Sequence, residues 1–330
     1  MSGEPAPPSA SSATPSEGRG AASSAFADRL VLRLRELGHP LCVGLDPHLA
    51  LIPPLFRRGS MAPLDAATAD AVEAFLVAFL DRIAGRVAIV KPQIAFFEAL
   101  GWRGIRALER LCERARRAGL LVLLDAKRGD IGSTAEGYAS AYLGARAAMP
   151  SDALTVSPYL GFDTLEPFVR AATAGGGGLF VLVKTSNPGS GDLQDRLVDG
   201  EPLFMRVAQG LVASERALRG PETGWSSLGV VCGATWPEQA RRVREALPRA
   251  LFLIPGYGAQ GGRAADAVAP FVAGPAGLEG GIVNSSRAIL FPDAGRGASR
   301  AQAWEQAVDA SLARAIDELG VAVAGRARSV

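Results

Sequence analysis

Eight short apolar runs punctuate this chain, at Leu41 to Leu45, Val87 to Lys91, Leu120 to Lys127, Ala153 to Ser157, Leu179 to Thr185, Leu228 to Ala234, Leu251 to Pro255 and Gly281 to Asn284. They are nearly continuous rather than alternating, which is the pattern of strands covered on both faces of a parallel sheet. Parallel neighbours must be joined by long crossovers. The segments between the runs supply them: Ala69 to Ile83, Trp102 to Ala118, Leu203 to Leu218, Pro237 to Ala246 and Ala301 to Leu319 place their apolar residues at helical intervals. Pro237 suits a first helical turn, and Thr235 stands just before it where a cap is expected. Eight strand–helix units with right-handed crossovers are the number that closes on itself, so the pattern predicts an α/β fold of the (β/α)8 TIM-barrel class. An open, doubly wound sheet is the alternative that the same alternation permits.

The chain has 330 residues, more than the roughly 250 of a typical barrel of this kind. Residues 1–24 hold part of the surplus. Pro, Ser, Ala and Gly dominate there, without the apolar core of a signal peptide or an anchor, so a disordered tail is expected, followed by a single barrel domain over residues 25–330. The formal net charge of +2 is spread without a basic block, which points away from nucleic acid and from anionic membranes as partners. The longest apolar stretch, Ala71 to Leu80, contains Glu73 and falls well short of the roughly 20 residues that span a bilayer. Cys42, Cys112 and Cys232 are odd in number and lack the Cys-x-x-Cys spacing, so no disulfide framework is indicated and a cytoplasmic location is expected.

Arginine carries almost all the positive charge; only Lys91, Lys127 and Lys184 are lysines, and each closes one of the apolar runs. Arginine serves for surface charge but does not give up a proton, whereas a lysine ammonium can be tuned. Ligands of parallel α/β folds bind at the C-terminal ends of the strands, so the placement of the three lysines reads as a functional site. The densest chemistry follows the third run, Asp125-Ala-Lys-Arg-Gly-Asp-Ile-Gly-Ser-Thr134. Residues two apart on a strand share a face, which sends Asp125 and Lys127 into the barrel mouth together and Ala126 away from it. Gly129 and Gly132 allow a tight loop that carries Asp130 either back toward that pair or away from it. Two carboxylates flanking an ammonium suit proton transfer; a strand-end ion pair followed by a helix cap is the plainer reading. Lys91 at a neighbouring strand end weighs against the plainer one, because a second ammonium in the same mouth is costly to keep there.

A second cluster closes the last two runs: Pro255-Gly-Tyr-Gly-Ala-Gln-Gly-Gly262 and Asn284-Ser-Ser-Arg287. Glycines let backbone N–H groups approach an anion, and Arg287 can grip two phosphate oxygens. Loops after the seventh and eighth strands are the usual phosphate site of a (β/α)8 barrel, although a glycine-rich loop alone is equally a plain turn.

The run Asp125 to Ile131 resembles the signature of the orotidine 5′-phosphate decarboxylase family. Val43-Gly-Leu-Asp-Pro47, Val90-Lys-Pro-Gln93, Thr185-Ser-Asn-Pro-Gly189 and Pro255 to Gly262 resemble its other segments in the same order. The likeness runs from about Leu41 to Ile289 and is similar to the longer bacterial branch, with Lys-Pro-Gln-Ile-Ala-Phe-Phe-Glu at 91 to 98. The resemblance implies the substrate orotidine 5′-phosphate, the product uridine 5′-phosphate, a decarboxylation without cofactor or metal in pyrimidine biosynthesis, and a homodimer with shared active sites. It implies an alternating charge network of Lys91, Asp125, Lys127 and Asp130 of the partner subunit. Asp46 would bind the ribose hydroxyls with Lys91, joined by Thr134 of the partner subunit. Ser186 would meet the pyrimidine ring, Gln260 beside Gly258 would bridge base and phosphate from the lid, and Arg287 would clamp the phosphate. The segment Ser190 to Glu201 is longer than in compact members, which leaves the contacts beyond Ser186 open.

Chemistry agrees with that implication. Loss of carbon dioxide from C6 leaves a carbanion with no adjacent π system to spread into, so the protein must stabilise localised charge, and Lys127 is placed to do so and then to protonate C6. Three other readings use the same residues. A phosphosugar decarboxylase or aldolase of the same barrel class would recruit a divalent ion. A Schiff-base aldolase would use Lys184 or Lys127 as nucleophile. A nucleotide-binding module without activity would not need such crowded charges. No metal-ligand spacing is present, and His48 has no nucleophile beside it in the sequence.

Overall fold

The computed structural model describes residues 25–144, 146–258 and 261–325. The tail expected over residues 1–24 therefore lies outside the described residues, as does Gln260. Eight parallel strands close into a barrel: β1 Leu41–Leu45, β2 Ile89–Pro92, β3 Leu121–Arg128, β4 Ala153–Val156, β5 Gly178–Lys184, β6 Ser226–Cys232, β7 Ala250–Ile254 and β8 Gly281–Ser285. Each pairs with its neighbours in sequence, and β8 pairs with β1. All eight fall on the apolar runs, with no end shifted by more than two residues. The continuity of those runs follows from two hydrophobic layers. Outward residues such as Val122, Leu124, Leu154 and Val181 pack under the helices, and inward residues such as Ile89, Leu123, Phe180 and Leu251 fill the barrel.

Helices cover the outside, among them Ala66–Ile83, Gly101–Arg117, Pro237–Ala246 and Ala301–Gly325. Asp65 caps the first of these by accepting from the Ala67 N–H at 2.9 Å. Two local expectations need correction. The helix after Pro202 is broken into Leu203–Gly210 and Val212–Ala217. Gly210 is a poor helix former that is required there because a Cβ would fall 2.1 Å from the Phe162 ring. Thr235 is not the cap before Pro237; Trp236 holds that position, without a side-chain cap, and its indole donates to the Thr185 carbonyl instead.

The helix Phe26–Leu37 precedes the first strand and closes the N-terminal end of the barrel, with Phe26 and Leu30 fully buried among the inward residues. Phe26 meets Phe180 edge-on at 6.1 Å, and Gly178 starts β5 because a Cβ there would lie 2.3 Å from the Phe26 ring. With that end plugged, access is confined to the opposite mouth. Among the described residues no helix is long and apolar enough to cross a membrane.

Candidate active site

Three charged side chains from adjacent strands meet at the mouth. The Lys91 ammonium on β2 lies 3.0 Å from Asp125 Oδ2 on β3, and the Lys127 ammonium lies 2.6 Å from Asp125 Oδ1. Gln93 Nε2 donates to Oδ2 at 3.1 Å and the Thr155 hydroxyl on β4 donates to Oδ1 at 2.9 Å. Asp125 thus accepts two hydrogen bonds on each oxygen, the full capacity of a carboxylate. Burial alone would raise its pKa, but Lys91 and Lys127 outweigh it and hold the carboxyl well below the usual carboxylate range. Burial would likewise lower the Lys91 ammonium; Asp125 and Asp46 outweigh it and hold the pKa above the ordinary lysine value. Both groups are ionised at neutral pH.

The β3–β4 register explains how Asp125 and Lys127 come to share the mouth. Leu124 pairs with Leu154 and Arg128 with Val156, so three residues of β3 stand opposite Thr155 alone. This bulge carries Lys127 into the left-handed region at φ 49°, a conformation that costs a non-glycine residue about 1 to 3 kcal/mol. The bulge adds an even number of residues, so the alternation survives and both side chains face the mouth as the sequence predicts.

β5 has the opposite outcome, and Lys184 does not join the site. Leu182 pairs with Val231 and Lys184 with Cys232, one residue extra on β5, which turns Lys184 to the helical face. There it is fully buried, 2.7 Å from Asp195 and 3.2 Å from the Ser190 hydroxyl, with its ammonium 4.6 Å from the Trp236 ring centroid. Lys184 is a strut for the segment after β5. Gln194, the residue before Asp195 in that segment, holds Thr185 from two sides, accepting from its N–H at 2.9 Å and donating to its hydroxyl at 2.8 Å.

The mouth opens into a cavity of about 670 Å³. Asp46, Lys91, Asp125, Lys127, Ser186 and Arg287 all line it, joined by His48, Phe96, Asn187 and Asn284. Asp46 Oδ1 and Asn284 Oδ1 are buried with no hydrogen-bond partner among the described residues, so each presents an acceptor that a bound donor would satisfy. Arg287 stands exposed at the start of a short helix after β8, and among the described residues no carboxylate pairs with it. Gly44 on β1 lies against Ser286, where a Cβ would fall 1.8 Å from the hydroxyl, so the loop bearing Arg287 can sit directly on β1.

The glycine-rich loop departs from expectation. The Gly258, Gly261 and Gly262 N–H groups donate to the carbonyls of Gly262, Gly258 and Gly256, respectively. They close the loop on itself rather than point at the cavity, which Pro255, Gly256 and Tyr257 line and Gly258 does not. Asp130 accepts from the Ile131 N–H at 2.8 Å, and neither it nor the exposed Thr134 lines the cavity. Thr155 is the functional neighbour that the sequence reading missed. Its signal was present: a single hydroxyl at an inward position of the apolar run Ala153-Leu-Thr-Val156. Among the described residues no group of three or more His, Cys, Asp or Glu is placed to hold a metal ion.

Comparison with known proteins agrees with this geometry. The family model described as orotidine 5′-phosphate decarboxylase / HUMPS family matches residues 39–301. An orotidine 5′-phosphate decarboxylase of Rhodopirellula baltica is 47% identical over 270 residues, 81% of this chain and 88% of that protein. One from Deinococcus radiodurans is 44% identical over 81% of this chain and 89% of its own length. Among solved structures, a putative orotidine 5′-phosphate decarboxylase from Streptomyces avermitilis superposes with a TM-score of 0.71 at 36% identity, covering 89% of this chain and 96% of that one. A Toxoplasma gondii structure described as a putative orotidine-monophosphate-decarboxylase gives 0.72 at 32% identity, covering 92% and 99%. The matched span contains every strand of the barrel and every described residue of the cavity, and the chain belongs to the orotidine 5′-phosphate decarboxylase family.

Proposed function

We propose that this chain converts orotidine 5′-phosphate to uridine 5′-phosphate and carbon dioxide, a step of pyrimidine nucleotide synthesis. The observation that carries the reading is the Lys91–Asp125–Lys127 line of alternating charge, at 3.0 and 2.6 Å, along the wall of a cavity that also reaches Arg287, with which no carboxylate among the described residues pairs. In this reading Arg287 takes the phosphate as a bidentate clamp. Asp46 and Lys91 take the ribose hydroxyls, which supply the donor that Asp46 Oδ1 lacks. Ser186 meets the pyrimidine ring, and the family resemblance assigns Gln260 to base and phosphate.

The chemistry then falls to Asp125 and Lys127. Asp125 stays ionised beside the substrate carboxylate, and two like charges about 4 Å apart repel by roughly 4 kcal/mol at an effective dielectric of 20. The C6–carboxylate bond breaks, carbon dioxide leaves, and the electron pair remains on C6. Lys127 stabilises that charge and gives C6 a proton, becoming a neutral amine that solvent reprotonates. Binding energy from the remote phosphate serves to hold the ring at this point.

The site is completed in a homodimer, with Asp130 and Thr134 of the partner subunit entering the mouth. Supporting this, both residues leave their own cavity, and the loops around them expose Ile131, Tyr159, Leu160 and Phe162, an apolar cluster suited to a two-fold contact. The working unit is a single barrel domain. A cytoplasmic location suits the three cysteines, which are free and buried, with their thiols pushed up to about 12 by burial. The direct test mixes purified chain with orotidine 5′-phosphate and follows carbon dioxide and uridine 5′-phosphate. Equal release of both is expected, unchanged by exhaustive chelation; no turnover would refute the reading, and turnover lost on chelation would favour the metal-dependent relative.

A further inference from the structure

We propose that Thr155 is a positioning residue of the decarboxylation, placing the Lys127 ammonium by locking the β3 bulge; this rests on the decarboxylase reading above. Thr155 is the one β4 residue opposite the bulge, with only 1% of its surface exposed. Its oxygen accepts from the Ala126 N–H and the Lys127 N–H, each at 2.9 Å, and its proton goes to Asp125 Oδ1 at 2.9 Å. One donor and two acceptor positions are all that a hydroxyl has, and this one is full. The same oxygen therefore ties together the backbone of the proton donor and the carboxylate that its ammonium touches.

Backbone physics shows why such a tie is needed. Lys127 has φ 49°, and a lysine has no intrinsic preference for that region, so the surroundings must impose it. The regular ladder cannot, because the pairing to β4 is interrupted between Leu124 and Arg128. Thr155 supplies the missing acceptor for two consecutive amides. Without it, the strand loses the reason to keep Lys127 left-handed, and the Cα–Cβ direction of Lys127 swings with φ. Displacement of a reacting group by about 1 Å is enough to cost on the order of a hundredfold in rate.

The test compares Thr155→Val with Thr155→Ser. Valine keeps the branched shape and removes the hydroxyl; serine keeps the hydroxyl and removes the methyl. For Thr155→Val, kcat should fall on the order of a hundredfold with KM nearly unchanged, because no contact to phosphate or ribose is lost. The same loss should appear in the exchange of the C6 hydrogen of uridine 5′-phosphate with deuterium in heavy water, which reports the proton step alone. Thr155→Ser should recover most of both rates. A Thr155→Val enzyme with wild-type kcat, or one whose loss lies in KM, would overturn the proposal, as would a serine variant as impaired as the valine one. Should the valine variant fail to fold, amide exchange in the unaltered protein decides: the Ala126 and Lys127 amides are expected to be strongly protected, and rapid exchange at either would overturn it. A wild-type chain inert toward orotidine 5′-phosphate would refute the decarboxylase reading instead, leaving the amide measurement to judge the bulge.

Discussion

Asp125→Asn separates the electrostatic role of this carboxylate from its structural one. The substitution is nearly isosteric and removes one charge from between two ammonium groups. Lys91 is the group left exposed to the consequence. Its side chain is 6% accessible and 3.0 Å from Asp125, so an attraction of about 5 kcal/mol at an effective dielectric of 20 disappears. Breaking a buried pair by removing one partner costs about 3 to 5 kcal/mol. The asparagine carbonyl can still accept from a lysine or from Thr155, which favours the lower end, about 3 kcal/mol. With an unfolding entropy of about 2.1 cal/mol/K per residue, a chain of this size should lose about 5 °C in Tm. The kinetic signature runs differently. Loss of a repulsion of up to about 4 kcal/mol with the substrate carboxylate lowers kcat by up to roughly a thousandfold. The Kd for orotidine 5′-phosphate should hold steady or tighten. Scanning calorimetry, steady-state turnover and equilibrium binding to the variant give the three numbers. A variant with kcat within threefold of wild type, or with weakened binding and unchanged kcat, would show that Asp125 is only a structural partner of the lysines. Stability should also depend on pH through these two groups. Asp125 has its folded pKa depressed, so the stability it contributes is present above its unfolded pKa of about 3.9 and is lost as pH falls through the folded value. Lys91 has its folded pKa raised, so its contribution is full below about 10.4 and is lost as pH rises past the folded value. The stability gap between wild type and Asp125→Asn should therefore stay constant from about pH 5 to 9 and narrow below about pH 4.

Three further outcomes follow from the same geometry. Lys127→Arg keeps a cation beside Asp125 but cannot release a proton, so turnover should nearly vanish while the circular dichroism spectrum is preserved; a tenth of the wild-type rate would remove Lys127 from the acid role. Arg287→Ala should weaken orotidine 5′-phosphate binding by about 2 to 5 kcal/mol, with a smaller loss for the nucleoside that lacks phosphate, and equal losses for both would place the phosphate elsewhere. Mixing inactive Lys127→Ala and Asp130→Ala subunits should make about half of the dimers hybrid, each with one intact site, and restore roughly a quarter of wild-type activity. Hybrids confirmed by mass spectrometry that stay inactive would assign Asp130 to its own subunit's site.

Much of this protein is determined by local sequence. Strand positions follow from runs too apolar to tolerate water on either face, and the alternation of those runs with helical periodicity leaves a closed parallel barrel as the natural assembly. Asp125 and Lys127 share a face because strand side chains alternate, and Lys91 lies at the mouth because it ends the neighbouring run. The sequence by itself could not reveal where the alternation breaks. Two residues of bulge on β3 preserve the facing of Lys127, whereas one on β5 reverses that of Lys184, and register is a property of paired strands that no single strand encodes. The same reason hid Thr155, whose hydroxyl acts on residues 28 to 30 positions away. The Gly258, Gly261 and Gly262 amides, which looked free in the sequence, proved to be bonded within the loop, because backbone groups take whichever partner the closed turn brings near. Residue types and periodicity thus determine the barrel and the inventory of its mouth; strand register and loop closure, which exist only once the chain is folded, decide which of those residues face one another.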